Sequence, residues 1–374
     1  MSNSKPNIIF VNLDGSRWDR LNISSEFQNL SKDGTLLDNV SVTAPYTVAA
    51  MNSIFTGLHG KENGIDCYYK MFNLLDSIDF LPEIFQKNGY YTICNLFHDK
   101  VVSKRGFDIH ESHDEYNDDL NIIHPELIKR SFELSNGKPI FCFLQYSTIH
   151  KVTVSERLKK YEWNDNEFYK NKEKNLESFD KSFLESCIYA KKIQKTINEL
   201  DKTNETIIVF FTDHGTGVGE RFGERNYGSF TFEETIRTYY LFIGPQISKN
   251  KKTSELLSTL DIMPTLLQLC NIEINLEIEG ISFASFLVND SNHITPRKYT
   301  FSETGALQGP YPSPKEPNVF CIKSNKFKLI FMKSPDKWQL FDIENDPQEK
   351  NDLFGKGLII EHEFKEKLLN WINR

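Results

Sequence analysis

The stretch from Thr206 to Gly215 constrains the fold of this chain more than any other part of its sequence. Its first six residues, TIIVFF, are all β-branched or aromatic, a pattern that predicts a buried β-strand. Asp213 and His214 follow, and in α/β sheets ligands bind where strands deliver their carboxyl ends. A carboxylate beside an imidazole suits a divalent cation such as zinc or manganese. The alternative is an aspartate that caps a turn and an ordinary surface histidine.

A second predicted strand ends in the same way near the start of the chain. Asn7 to Leu13, NIIFVNL, is largely apolar and is followed by Asp14 and Gly15. Gly15 permits a tight turn or the close approach of a ligand, because it has no side chain. This repeats the arrangement at Asp213, in which a buried strand releases one carboxylate at its end. An aspartate that only closes a turn is the alternative.

A candidate nucleophile lies at the predicted start of a helix. Pro45 stops any preceding helix, Thr47 stands where a helix N-cap is expected, and Gly57 is a plausible C-cap. A hydroxyl at a helix N-terminus faces unpaired N–H groups and the positive end of the helix dipole. Both would stabilise an alkoxide and an attacked anionic ester. The alternative is a threonine that only caps the helix.

The order of predicted elements indicates an α/β fold. Strands and helices alternate to about Asn271, which predicts a mainly parallel central sheet with helices on both faces. Beyond about Asp290 short strands precede a final helix, which predicts a small antiparallel sheet. These elements are Tyr299–Ser302, Val319–Lys323, Lys328–Met332, Trp338–Asp342 and the helix Ile360–Asn373. We therefore expect a catalytic α/β domain over residues 1–290 and a small C-terminal α+β subdomain over residues 291–374.

Composition excludes several classes of function. The 374 residues allow one large domain and a smaller one, and the net charge of −8 argues against a nucleic-acid binder. No apolar run reaches the roughly 18 residues of a membrane span, and the opening residues MSNSKP are not a signal peptide. The six cysteines are scattered and read as reduced core residues, so we expect a cytoplasmic protein. The oligomeric state is left open.

Taken in order, these motifs resemble the alkaline phosphatase superfamily, on its sulfatase-like branch. The resemblance covers nearly the whole chain. The shared motifs are Leu13 to Arg17, Thr47 with Thr56 and Gly57, Thr212 to Gly215, Glu233 to Arg237, Leu260 to Thr265, and Leu340 to Leu353. The resemblance implies that Asp14, Thr47, Asp213 and His214 bind one divalent metal ion, which could be zinc, manganese or calcium.

The departures from the sulfatase pattern are informative. True sulfatases oxidise a cysteine or serine at the nucleophile position to an aldehyde, whereas the β-methyl group of Thr47 would permit only a ketone. Met51 replaces the arginine of the sulfatase signature, and Gly15 replaces a second aspartate. In having a threonine at this position, the chain resembles nucleotide phosphodiesterases and the phosphoglycerol and phosphoethanolamine transferases, which use a threonine as their nucleophile. No Asp and His set for a second zinc ion is evident, which argues for one metal.

The resemblance also implies residues that contact the substrate. His150, after the predicted strand Pro139–Tyr146, matches a histidine that contacts the substrate anion or the leaving group; a core or capping histidine is the alternative. Arg17, His98 and Arg221 are further candidates for substrate binding. Arg221 could neutralise the transferred group in place of a second metal, unless it is a solvated loop arginine. Two lysines that the family places before His98 and before Glu233 are absent.

These observations lead to a first expectation about function. We expect a metal-dependent hydrolase or transferase that acts on phosphate or phosphonate esters through a covalent phosphothreonine at Thr47. Its substrate would be a small-molecule or glycan-linked anionic ester. One alternative is a sulfuric ester hydrolase that works without the aldehyde. Another is a degenerate, non-catalytic binding module.

Overall fold

The computed structural model describes residues 5–70, 74–273, 275–288 and 294–374, and its centre is a nine-stranded sheet. The strands follow the order β4-β3-β5-β1-β6-β7-β2-β8, with β9 paired to β2. Their bounds are β1 (Asn7–Leu13), β2 (Gly34–Ser41), β3 (Tyr91–Leu96), β4 (Ile109–Ser112), β5 (Ile140–Tyr146), β6 (Thr206–Phe211), β7 (Arg237–Ile243), β8 (Lys251–Thr253) and β9 (Leu257–Ser258). The expected α/β fold is confirmed.

The central strands are parallel, which fixes the position of the candidate site. β1 pairs in parallel with β5 on one side and with β6 on the other, whereas β7 runs antiparallel to β6 and β2. Leu13 is in register with Tyr146, and Asn12 is in register with Phe211. The three strands therefore end side by side, and the residues that follow them meet at one edge of the sheet.

Helices cover both faces of this sheet, as expected. Alternate residues of β1 point to opposite faces: Phe10 belongs to the core beneath α2, α4 and α10, whereas Val11 belongs to the core beneath α1, α5 and α8. The helix bounds are α1 (Ser25–Ser31), α2 (Thr47–Thr56), α3 (Gly60–Asn63), α4 (Leu81–Lys87), α5 (Leu120–Leu134), α6 (Thr148–Thr153), α7 (Asn166–Lys170), α8 (Lys172–Glu199), α9 (Glu233–Ile236), α10 (Ile262–Leu269), α11 (Ala284–Val288) and α12 (Ile359–Ile372).

The C-terminal part forms the small antiparallel sheet that the sequence predicts. Its strands run in the order β10 (Thr300–Thr304), β11 (Val319–Lys323), β12 (Phe327–Met332) and β13 (Lys337–Asp342). Phe364, Leu368 and Trp371 of α12 pack in one hydrophobic cluster with residues of this sheet. The expected boundary at residues 290 and 291 falls within 289–293, outside the described residues.

Two expectations from composition can be compared with the fold. All six cysteines are buried and carry free thiols, as expected for reduced core residues. Within the described ranges, no helix is long and apolar enough to cross a lipid bilayer.

A buried ionic cluster joins the second sheet to the main one. Both oxygens of Glu233, in α9, face lysines: Lys323 Nζ lies at 2.8 Å and Lys328 Nζ at 3.2 Å. Lys328 also pairs with Glu349, and all four side chains are buried. Burial alone would raise the pKa of Glu233, but the charges of the two lysines outweigh it and lower the pKa to about 2. The carboxylate is therefore held in its charged form.

We predict that Glu233→Gln strongly destabilises the protein. The amide has nearly the size of the carboxylate but leaves Lys323 and Lys328 without their shared counter-charge, which costs about 3–5 kcal/mol when one partner of a buried pair is removed. Urea unfolding followed by circular dichroism measures the free energy. The control is Glu167→Gln, which alters an exposed pair with Lys170 and should cause no measurable change. Equal behaviour of the two variants would contradict the prediction.

Candidate active site

Asp14, Asp213 and His214 converge at the edge where β1 and β6 end. All three side chains are fully buried, and one ligand atom from each lies within 4.8 Å of the others. The Nε2 atom of His214 is 3.8 Å from Asp14 Oδ1 and 3.7 Å from Asp213 Oδ2. The parallel pairing of the strands thus brings together three of the four predicted ligands.

The chemistry of this group fits a divalent cation. Asp14 Oδ1 and both carboxylate oxygens of Asp213 are buried and have no hydrogen-bond donor among the described residues. Buried carboxylates without partners are costly. Burial and the charge of Asp213 raise the pKa of Asp14 to about 7. A cation between the two carboxylates would offset this cost, and oxygen with imidazole nitrogen is a donor set that zinc, manganese and related ions accept.

A backbone contact fixes the orientation of His214. Its Nδ1 atom is 2.8 Å from the carbonyl oxygen of Gly215, which can only accept, so Nδ1 carries the proton. The lone pair of a neutral ring is then on Nε2, the atom that faces Asp14 and Asp213. This is the tautomer that a metal ligand requires.

The hydroxyl of Thr47 completes the group. Thr47 is the first residue of α2, and its Oγ1 atom lies 3.1 Å from His214 Nε2. The N-cap is Tyr46 rather than Thr47, and the helix start has no side-chain capping bond. The prediction that Thr47 stands at the N-cap is therefore wrong by one residue. Its hydroxyl is free of a capping role and points at the candidate ligands, while the helix dipole still favours negative charge there.

Two polar residues that sequence reasoning missed hold the carboxylates in place. Gln145, near the end of β5, donates from Nε2 to Asp14 Oδ2 at 2.7 Å. Asn12 accepts the backbone N–H of Asp213 on its Oδ1 at 3.2 Å. Both are polar residues inside buried, otherwise apolar strands, a signal visible in the sequence. Such a residue needs a buried partner, and here each partner belongs to the candidate site.

Gly15 allows the loops after β1 and β6 to touch. Its φ of +73° lies in the left-handed region, and a Cβ there would come within 2.8 Å of Thr216 Oγ1. The Thr216 hydroxyl donates to the Gly15 carbonyl at 2.7 Å. The tight turn expected at Gly15 thus lets the loop after β1 contact the loop after β6.

His150 lies beside the candidate ligands, paired with a carboxylate. It belongs to α6, directly after β5, and its Nδ1 is 2.8 Å from Glu115 Oε1. Its ring stacks on Phe97 with 4.6 Å between ring centroids. Burial would lower the pKa of His150, but the hydrogen bond to Glu115 and the charge of Asp14 outweigh burial and raise it. His150 is therefore poised to carry a proton.

Arg17, a predicted substrate contact, is engaged by carboxylates of the chain itself. Its guanidinium pairs with Asp19 and Glu220, each at 2.7 Å, and donates to the Thr216 carbonyl at 3.1 Å. Arg17 is buried, and these bonds tie the loop after β1 to the loop after β6. We therefore leave Arg17 out of the substrate contacts and regard it as a positioning residue.

Arg221 and His98, the other two predicted substrate contacts, also have partners within the chain. Arg221 pairs with Glu234 at 2.7 Å and donates to the carbonyls of Gln348 and Glu349, so its guanidinium belongs to the junction with the second sheet. His98 is more than half exposed and pairs with its neighbour Asp99 at 3.3 Å. We include neither residue in the proposed site.

Comparison with known proteins identifies the family. The sulfatase family profile matches residues 6–272, and the profile for the C-terminal region of N-sulphoglucosamine sulphohydrolases matches residues 223–373. The chain belongs to the sulfatase family. The expected membership of the alkaline phosphatase superfamily, on its sulfatase-like branch, is confirmed.

Individual relatives agree with this assignment. An N-acetylglucosamine-6-O-sulfatase of Bacteroides thetaiotaomicron is 33% identical over 175 residues, which cover 44% of this chain but 30% of that protein. The structure of a 2-O GAG sulfatase matches with a TM-score of 0.81 at 19% identity, and the match covers 99% of this chain and 92% of the sulfatase chain. A phosphonate monoester hydrolase of Agrobacterium radiobacter has a TM-score of 0.75 at 14% identity, with coverages of 98% and 95%. At these identities the two structures show the fold alone.

We predict that Asp213→Asn or His214→Ala abolishes metal retention while the fold survives. Each change removes a ligand at the sheet edge without touching the packed core. Wild type and variants, loaded with zinc, manganese or calcium and then dialysed, are compared by elemental mass spectrometry and circular dichroism.

The control is Glu62→Gln, in the other group of potential ligands that the described residues contain, His59, Glu62 and Glu279. We expect this variant to keep its metal. If metal persists in both site variants but is lost from Glu62→Gln, the ion is held by the group that contains Glu62, and the site proposed at Asp14, Asp213 and His214 is wrong.

Proposed function

We propose that this sulfatase-family protein is a metal-dependent hydrolase of sulfate esters, with Thr47 as its nucleophile. The observation that carries the proposal is the hydroxyl of Thr47, 3.1 Å from His214 Nε2 and aimed at the buried group of Asp14 and Asp213. The family and the sulfatases among its relatives favour sulfate over phosphate as the transferred group. This replaces our first expectation of phosphate transfer. By analogy with those relatives, the ester would be glycan-linked.

The proposed metal site has a defined chemical purpose. A divalent ion held by Asp14, Asp213, His214 and the Thr47 hydroxyl would lower the pKa of that hydroxyl and neutralise charge on the ester. The protein supplies the other requirements itself. Gln145 and Asn12 keep the two carboxylates in place, and the start of α2 favours negative charge on Oγ1.

The proposed reaction has two balanced steps. First, Oγ1 of Thr47 bonds to sulfur as the bond from sulfur to the leaving oxygen breaks. The hydroxyl proton is released, and the leaving oxygen takes a proton from His150. Water then attacks the sulfur of the threonine sulfate, His150 regains a proton, and Thr47 recovers its hydroxyl as sulfate departs. Ester and water thus give alcohol, sulfate and one proton.

His150 suits the role of general acid in this scheme. Asp14 and Asp213 lie close enough for their charges to favour its protonated form, and Glu115 engages Nδ1 at 2.8 Å. With Nδ1 held by Glu115, Nε2 is the nitrogen left to exchange a proton with the leaving oxygen. Glu115 acts on the reaction only through His150 and is a positioning residue.

A phosphate or phosphonate ester is the second candidate substrate, through a phosphothreonine at Thr47. Thr47 favours it, because the β-methyl group prevents formation of the aldehyde that true sulfatases use. The structural likeness to a phosphonate monoester hydrolase is consistent with it. The third hypothesis, a non-catalytic binding module, is less well supported. A degenerate site has no reason to retain buried carboxylate oxygens that lack a partner among the described residues, as Asp14 Oδ1 and both oxygens of Asp213 do.

We predict that metal-loaded protein hydrolyses p-nitrophenyl sulfate faster than it hydrolyses p-nitrophenyl phosphate, a p-nitrophenyl phosphonate or bis(p-nitrophenyl) phosphate. Release of p-nitrophenol gives kcat/KM for all four substrates with the same leaving group. His214→Ala is the matched blank and should be inactive on each. Turnover of a phosphorus ester without turnover of the sulfate would move the assignment to the second candidate. No turnover of any ester would favour the binding module.

We predict that Thr47→Val abolishes turnover and leaves the fold intact. Valine has the shape of threonine without the hydroxyl, and the structure shows that this hydroxyl caps nothing. Activity should fall by orders of magnitude, because the covalent nucleophile is lost. Thr47→Ser keeps the hydroxyl and should retain measurable turnover. Mass spectrometry of quenched wild type should show a sulfuryl adduct on Thr47. Near wild-type rates in Thr47→Val would refute the mechanism.

A further inference from the structure

Tyr227 occupies a central place in the candidate site that the mechanism has not used. Its ring centroid lies 4.3 Å from that of His214 and 6.4 Å from that of His150. The half-buried tyrosine therefore lies against both the candidate ligand and the candidate acid. The ring therefore lies next to two of the groups that the proposed mechanism brings to the ester.

The hydroxyl of Tyr227 is an available donor. It forms no hydrogen bond with any residue that the structure describes, and because the side chain is only half-buried the hydroxyl is open to a partner from outside the chain. A phenol carries its proton at neutral pH and can donate a hydrogen bond to an anionic oxygen.

The loop that carries Tyr227 is fixed from two sides. Thr304, at the end of β10 in the second sheet, donates its hydroxyl to the carbonyl of Gly228 at 2.5 Å. The backbone N–H groups of Ser229 and Phe230 donate to Glu224 at 2.8 and 3.2 Å. These bonds are next to Tyr227 in the chain, so its ring is held in place before a substrate arrives.

Two arginines of the loops around the candidate site already have counter-charges. Arg17 and Arg221, which the sequence offered as substrate contacts, are engaged by carboxylates of their own. The divalent ion proposed for this site would be matched in charge by the two carboxylates that hold it, Asp14 and Asp213. Tyr227 itself adds a donor without a charge. A site with these residues has less cationic character than one closed by lysine or arginine.

We propose that the Tyr227 hydroxyl donates a hydrogen bond to a charged oxygen of the bound ester, and that this neutral contact makes the site select singly charged esters. Sulfate monoesters and phosphonate monoesters carry one negative charge, whereas a phosphate monoester above neutral pH carries two. The second charge would have to be met by a cation that Tyr227 does not provide. This inference rests on the proposed function and deepens it.

The test of the contact is Tyr227→Phe. The variant keeps the ring against His214 and removes only the donor. A hydrogen bond to a charged group is worth about a factor of ten or more in binding. We expect KM for p-nitrophenyl sulfate to rise about tenfold, with kcat changed much less and metal content unchanged. Calorimetric titration with inorganic sulfate should show a parallel loss of affinity in metal-loaded protein.

Tyr68→Phe provides a matched control. Tyr68 stacks on Tyr46 at 4.5 Å between ring centroids, and the carboxylate that acts on it is Glu224 rather than a candidate ligand. This variant should retain wild-type KM and wild-type affinity for sulfate. Unchanged values in Tyr227→Phe as well would overturn the proposed contact, as would an equal loss in both variants.

The test of charge selection compares three esters with one leaving group near pH 8. For p-nitrophenyl sulfate and p-nitrophenyl phenylphosphonate we expect kcat/KM at least tenfold above that for p-nitrophenyl phosphate. A phosphate dianion hydrolysed as well as either would overturn the selection. If wild type hydrolyses none of the three, the proposed function fails. The sulfate titration then still decides whether Tyr227 contacts an anion.

Discussion

The rest of this structure depends on three buried carboxylate oxygens that have no hydrogen-bond donor among the described residues, Asp14 Oδ1 and both oxygens of Asp213. A chain does not place such groups together in its interior unless something compensates their charge. The parallel pairing of β1 with β5 and β6 forces them together, and Gln145 and Asn12 hold them there. Thr47, His150 and Tyr227 lie around this meeting of strand ends.

Much of this arrangement could be predicted from sequence, because it depends on local patterns. The amino-acid sequence alone shows an apolar strand that is followed by a carboxylate, and this pattern predicts Asp14, Asp213 and His214 as site residues. The short strands and final helix of the C-terminal part were also found within one or two residues. By contrast β2, which lies between β7 and β8, was not predicted. Its sequence GTLLDNVS neither alternates between apolar and polar residues nor forms a continuous apolar run, although all eight residues are buried.

What could not be predicted depends on partners that are distant in the chain. Arg17 and Arg221 looked like substrate contacts, because a sequence does not show that Glu220, Glu234 and Glu349 already pair with them. Lys323 and Lys328 look like exposed residues of a hairpin, yet they are cross-strand neighbours buried around Glu233. The role of a charged residue can be assigned only when the tertiary structure shows which opposite charge it contacts.

The hydrogen bond from Thr304 to Gly228 has a consequence for how this chain can change over time. A residue of the small sheet holds the loop that borders the site on the large sheet, and the Glu233 cluster holds the two sheets together. Insertions or deletions in the small sheet could therefore reshape the wall of the site while the ligands remain untouched. In such a molecule the surroundings of the site can vary while its ligands stay the same, because the small sheet supports a loop beside the site and contributes none of the proposed ligands.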